Sequence, residues 1–243
     1  IELTEVDAAP PIISPVVRID FGRHDGNNGN PTPSPDAYGG YWNNFGSIAN
    51  GSSVANLVTT TNQPTPLAVT LTSGGWNHNG TQNGGLLAPL ASRLGDLAVD
   101  TATQDYLFVQ NTTGSLKISG LNPGKLYSLR LFGTREEAQV RSSTYTVTSG
   151  SGTFAATLQT SGAGLGNGLG GSDGTLPYNG NNRTTAALGG IQPDLTGEVT
   201  LQLSVAAGGF AYLGILEIVE GASVPPLPMP TLTQVIDRWV AQD

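Results

Sequence analysis

Cysteine is absent from the 243 residues, which excludes disulfide staples and thiolate chemistry. Charge is scarce at 12% of the chain. Only ten Lys and Arg are present, against 18 Asp and Glu. They are dispersed, and a phosphate backbone needs clustered cations, so nucleic acid is excluded as a partner. No apolar run approaches the roughly 20 residues that span a bilayer. Two histidines, His24 and His78, both lie in Gly/Asn loops. There is no G-x-S-x-G elbow, Gly-Asp-Ser motif or H-E-x-x-H helix, so nothing specifies a hydrolytic site.

Glycine (34) and proline (16) are plentiful, alongside Ser, Thr and Asn. Without a repeat period, this composition predicts many short strands joined by long turns. The stretch 125–147 shows the pattern best. Tyr127, Leu129 and Leu131 alternate with Ser128, Arg130 and Phe132, and Tyr145 and Val147 alternate with Thr144 and Thr146. Both runs have the period of a β-strand. Further strands are predicted at 16–23, 54–61, 67–73, 106–110, 115–121, 153–160, 184–188, 198–205 and 210–219. A turn at Asn122-Pro123-Gly124 separates two of them, and 86–95 reads as a short helical turn. The expected fold is an all-β jelly-roll sandwich of two packed antiparallel sheets.

The predicted division places an extended lead-in at 1–15, the sandwich at 16–220, a Pro-rich linker at 221–230 and an amphipathic helix at 231–243. In that helix Leu232, Val235, Ile236, Trp239 and Val240 share one face, which needs a partner. Starting at Ile1, the chain reads as a processed protein or an excised fragment. An acidic, Thr/Asn/Gly-rich surface suits a secreted protein that meets neutral ligands.

Long polar loops carry the functional candidates. Sugars offer apolar faces to aromatic rings and hydroxyls to polar side chains. Tyr38, Tyr41, Trp42, Trp76 and Tyr178, set among Asn, Asp and Gly, fit that chemistry. Trp42 fits equally well as a core plug, while the other four are expected at the surface. Asp25, Asn27 and Asn30 form a loop of oxygen donors for Ca²⁺, without the closing Glu of an EF-hand. Such residues also cap their own turns. Glu136 and Glu137 are adjacent, which suits pairing with Arg135 and Arg141 better than two-carboxylate glycoside hydrolysis.

Several phrases carry a resemblance: VRIDFG, YWNNF, NGGLLAPL, DYLFV, ISGLNPGKLYSLRLFGTR and FAYLGILEI. Together they resemble the galactose-binding-like β-sandwich modules attached to secreted bacterial carbohydrate esterases and SGNH (GDSL-type) hydrolases. The resemblance implies a non-catalytic jelly roll, polysaccharide or oligosaccharide as ligand, and a structural Ca²⁺. Trp42, Asn43, Asn44 and Arg135 match its recurring positions. The final VIDRWVAQD is similar to the lead-in helix of an SGNH catalytic domain, which implies such a domain as a C-terminal partner. The expected function is therefore an extracellular carbohydrate-binding module that tethers a linked enzyme. The alternative is a self-assembling extracellular subunit whose tails contact other copies of itself.

Overall fold

The computed structural model describes residues 14–162, 165 and 178–223. The predicted lead-in, linker and terminal helix lie outside these residues, apart from Ser14, Pro15 and residues 221–223 at the end of the final strand. So do the tail contacts of the self-assembly reading.

Among the described residues, fourteen strands form an all-β jelly-roll sandwich. In chain order they are β1 (Val16–Phe21), β2 (Asn43–Phe45), β3 (Ser53–Ala55), β4 (Ala68–Leu71), β5 (Asn77–Asn79), β6 (Tyr106–Gln110) and β7 (Thr113–Ser119). They continue with β8 (Lys125–Phe132), β9 (Arg141–Ser149), β10 (Gly152–Ser161), β11 (Ala186–Ile191), β12 (Val199–Ala207), β13 (Phe210–Leu213) and β14 (Ile215–Ser223). One sheet has the order β11-β8-β14-β1-β2 and the other β10-β9-β12-β7-β4-β3. A third sheet has three strands in the order β13-β6-β5. Pairing is antiparallel except between β1 and β2, which run parallel.

The alternation in the sequence becomes burial. In β9, Arg141, Ser143, Tyr145 and Val147 point inward and their neighbours outward. Val69, Leu116, Leu129, Val147 and Leu201 meet in the main core between the sheets. Burying each such side chain contributes about 1.5–3 kcal/mol.

Departures from the predicted elements have local causes. The strand expected at 54–61 stops at Ala55, because Asn56 adopts a left-handed φ of 55°. The run 210–219 divides at Gly214 into β13 and β14, which join different sheets. The 86–95 turn contains α1 (Ala91–Leu94), and a second one-turn helix, α2 (Asp100–Thr103), follows. Strand β14 runs through Ser223, past the boundary expected at 220.

Strand β1 alternates in sequence, yet both of its faces are buried. Its outer face is covered by a second apolar cluster of Trp42, Leu86, Leu94, Leu97, Phe132 and Ile215 among others. The segment carrying α1 and α2 therefore packs on the outside of the five-stranded sheet.

Candidate functional site

The loops after β1, β5 and β8 meet at one end of the sandwich, beside the end of β10. Thr81 N–H donates to Asn28 O at 2.6 Å, and Glu136 N–H to Gly84 O at 2.7 Å. Arg135 N–H donates to Thr160 O at 3.1 Å. These bonds give the loops a fixed arrangement.

The structure places the sequence-predicted residues unevenly. Tyr38 is 60% exposed, and its N–H is held by Asp36 Oδ1 at 2.8 Å. Its ring borders a shallow cavity of about 300 Å³ shared with Leu87, Pro89, Val99 and Asp100. Tyr41 is partly buried. Trp42 is buried in the outer cluster, with Nε1 donating to Asp36 Oδ2 at 2.7 Å and Arg18 stacked 5.6 Å from the ring. The expectation of exposure is corrected for Trp76 and Tyr178. Trp76 lies in the main core at 4% exposure, against Gly114. Tyr178 is fully buried, and its hydroxyl sits between Thr134 Oγ1 at 2.7 Å and Gly84 O at 3.1 Å. These three rings present no face to a ligand, because neighbouring loops close over them.

Asn43 and Asn44 spend their amides on backbone. Asn43 donates to Arg18 O and Val58 O and accepts from Val58 N–H, all at 2.8–2.9 Å. Asn44 accepts from Thr32 N–H at 2.8 Å and donates to Thr32 O at 3.0 Å.

The predicted Ca²⁺ donors are likewise engaged. Asp25 Oδ1 accepts from Asn27 and Asn28 N–H, and Oδ2 pairs with Arg23 at 2.7 Å. These bonds, the Asn28 amide first, lower its pKa to about 2. Asn27 and Asn30 are exposed, and Asn30 O accepts from Gln104. Asp25 therefore closes its own turn, as short polar side chains do.

Arg135 is brought to a surface the sequence reading did not single out. The outer face of the three-stranded sheet carries Asn79 beside Tyr106, Asn77 beside Phe108 and Tyr212, and Gln110 beside Phe210. The rings form one group: Phe108 lies 6.1 Å from both Phe210 and Tyr212, and Tyr106 lies 5.1 Å from Tyr212. Phe108 and Phe210 are partly exposed, and Asn77 and Gln110 are exposed. Arg141 stacks 4.2 Å from the centroid of Phe210 and donates to the Tyr212 hydroxyl. It also pairs with Glu137 at 3.0 Å, the structural pairing favoured from the sequence. Burial, opposed by the adjacent Arg135, holds the Tyr106 hydroxyl well above the usual phenol range. Its oxygen donates to Asn83 O at 2.8 Å. The signal for this face was present in the period-2 aromatic pairs Tyr106/Phe108 and Phe210/Tyr212, each on one side of its strand.

A third group lies beneath the loops. Asp20, His24 and Asp105 bring one ligating atom each within 4.8 Å of one another. His24 Nε2 is 3.5 Å from Asp20 Oδ2 and 3.8 Å from Asp105 Oδ2. Both carboxylates are buried, and no hydrogen bond of normal geometry reaches His24 Nε2, Asp20 Oδ1 or either oxygen of Asp105. Burial, and then the charge of Asp20, raise the pKa of the Asp105 carboxyl, opposed by the backbone N–H of Arg23.

No family model and no curated protein matches the chain. Solved structures of similar architecture include the CBM22-1–GH10 modules of Clostridium thermocellum xylanase 10B complexed with xylohexaose. The identity is 12%, over 63% of this chain and 27% of that one, with a TM-score of 0.30. A CBM35 from Cellvibrio japonicus Abf62 is similar at 13% identity, over 60% of this chain and 94% of that one, with a TM-score of 0.33. TmCBM61 in complex with β-1,4-galactotriose is similar at 12% identity, over 63% and 87%, with a TM-score of 0.28. The chain spans about a quarter of the length of the first of these. At such identity the likeness concerns architecture and reaches no individual side chain.

Proposed function

We propose that this protein is a non-catalytic, extracellular carbohydrate-binding module, and that its sugar lies across the Phe108–Phe210 face. The observation that carries this reading is the group of four rings on one side of a small sheet, with two of them open to solvent and exposed Asn77 and Gln110 beside them. Aromatic faces stack on the apolar faces of sugar rings, and amides serve the hydroxyls. Arg141 stacks on Phe210 and donates to the Tyr212 hydroxyl, which holds both rings in place. Rigid aromatics lose little conformational entropy on binding. Linked to a polysaccharide-active enzyme, such a module would raise the enzyme's effective concentration at its substrate. The resemblance to modules of secreted esterases and SGNH hydrolases supports that arrangement.

The test is affinity electrophoresis of the purified chain through gels containing xylan, pectin, galactan, β-glucan or alginate. At least one polysaccharide should retard the protein. Phe108→Ala and Phe210→Ala should each weaken binding roughly ten-fold, equivalent to about 1.4 kcal/mol. Tyr38→Ala reports on the second exposed ring and should leave retardation unchanged. Loss of binding in Tyr38→Ala alone would move the site to the cavity beside Asp100. Free migration in every gel would sink the proposal.

A further inference from the structure

The Asp20–His24–Asp105 group has no part in the sugar-binding face, and its chemistry is different. Asp20 comes from β1, His24 from the loop that follows, and Asp105 from the residue before β6. Their ligating atoms converge although 85 positions separate the two carboxylates in the chain.

Three observations bear on its occupant. The first is the donor inventory. Asp105 is 1% exposed and neither of its oxygens makes a hydrogen bond of normal geometry, although the Arg23 backbone N–H acts on the carboxyl, and Asp20 is fully buried with Oδ1 unpartnered. Buried carboxylates in folded proteins are paired, hydrogen-bonded or bound to a metal. The second is orientation. Thr32 N–H and Oγ1 both hold Asp20 Oδ2, at 3.0 and 2.8 Å. Those bonds fix the carboxylate with Oδ2 3.5 Å from His24 Nε2 and give it the outer hydrogen bonds that metal ligands carry. The third is the enclosure. A Cβ on Gly22 or Gly29 would stand 2.0 Å from the Asp105 carboxylate, and one on Gly80 would stand 1.8 Å from Asn28 O. Bare backbone is packed around Asp105 from three directions.

From this geometry we infer that Asp20, His24 and Asp105 form a binding site for a divalent transition-metal ion, with Zn²⁺ as its probe. Two carboxylates call for a divalent charge. An imidazole nitrogen separates this set from the all-oxygen shells of Ca²⁺ and Mg²⁺ and suits first-row transition metals. Zinc binds His and carboxylate ligands at about 2.0–2.2 Å. Ligands at that distance on a tetrahedral ion stand roughly 3.4 Å apart, close to the 3.5 and 3.8 Å that separate His24 Nε2 from the two carboxylates. Asp25, Asn27 and Asn30 take no part. The ion would tie β1, its following loop and the start of β6 into one unit.

The experiment uses untagged full-length protein dialysed against EDTA and then against metal-free buffer. Zn²⁺ is titrated by calorimetry, and thermal unfolding is followed with and without the ion. One equivalent should bind, and the ion should raise Tm, as a ligand specific for the folded state does. Asp105→Asn is nearly isosteric and removes a buried charge, so it should stay folded without metal. Its affinity should fall at least 100-fold, as should that of His24→Ala. Thr32→Val removes one bond to Asp20 and should cost about ten-fold. The inference is overturned if neither Zn²⁺ nor Mn²⁺ binds or moves Tm, since the cluster then holds only a shared proton. Stoichiometric Ca²⁺ binding without Zn²⁺ binding overturns it equally. Zn²⁺ binding that survives both Asp105→Asn and His24→Ala places the ion elsewhere.

Discussion

Arg18 on β1 and Glu217 on β14 stand directly opposite each other in antiparallel register, and Arg18 Nε donates to Glu217 Oε2 at 2.9 Å. Arg130 approaches the same carboxylate from β8 at 2.9 and 3.0 Å. Asp96, from the turn after α1, pairs with both guanidinium groups. Charge of this density on the outside of a sheet is possible because the outer apolar cluster and Trp42 cover one side of it and every cation has a partner.

Glu217 is the centre of that network and is 5% exposed. Removing one partner of a buried pair costs more than the pair itself contributes, because the other charge is left behind. Glu217→Gln should therefore destabilise the fold by about 3 kcal/mol, softened by the remaining Asp96 contact. Urea denaturation measures this, and a loss under about 0.5 kcal/mol would contradict the role given to Glu217.

Asn43→Ala should cost about 2 kcal/mol. Its amide satisfies three backbone groups that belong to β1 and to the stretch after β3. Buried backbone groups left without partners lose their full desolvation energy. Asn43→Asp is the informative companion. It keeps the acceptor for Val58 N–H and loses the donors, so it should be at least as damaging as alanine.

Gly114 on β7 faces the indole of Trp76, and a Cβ there would lie 2.5 Å from two ring carbons. Gly114→Ala should destabilise by about 1–3 kcal/mol through overpacking. It should also shift the Trp76 fluorescence as the ring moves. A neutral result would show that the indole has room to retreat.

Alkaline pH offers a further check. Five of the seven tyrosines, Tyr106, Tyr127, Tyr145, Tyr178 and Tyr212, have pKa values raised chiefly by burial. Tyr127 rises to about 12, with Asn122 N–H opposing the shift and the nearby Glu220 adding to it. A phenol whose folded pKa exceeds its unfolded value of 10 stabilises the fold fully below pH 10. That contribution is lost as pH rises through the folded value. Tm should therefore fall steeply between about pH 10 and 12. Tyrosinate absorbance from these five should appear together with unfolding rather than before it. Gradual ionisation of all five in a still-folded protein would contradict their burial.

What the sequence determined by itself was whatever repeats locally. Tyr127, Leu129 and Leu131 alternate, and they are buried on β8. The Asn122-Pro123-Gly124 turn is where it was expected, with Asn122 Oδ1 accepting from Gly124 N–H at 2.8 Å. Strand period and turn chemistry act over a few residues, so a linear reading finds them. The exposure of a loop side chain has no such period. Trp42, Trp76 and Tyr178 sit among the same Gly and Asn residues as Tyr38, yet only Tyr38 of these four is exposed. The difference lies in which distant segment closes over each ring: the outer cluster over Trp42, Gly114 against Trp76, Thr134 and Gly84 around Tyr178. The Phe108–Phe210 face and the Asp20–His24–Asp105 group follow the same rule. Each joins residues from strands or loops far apart in the chain, and only the pairing of β6 with β13 and the packing of loops at one end of the sandwich bring them together.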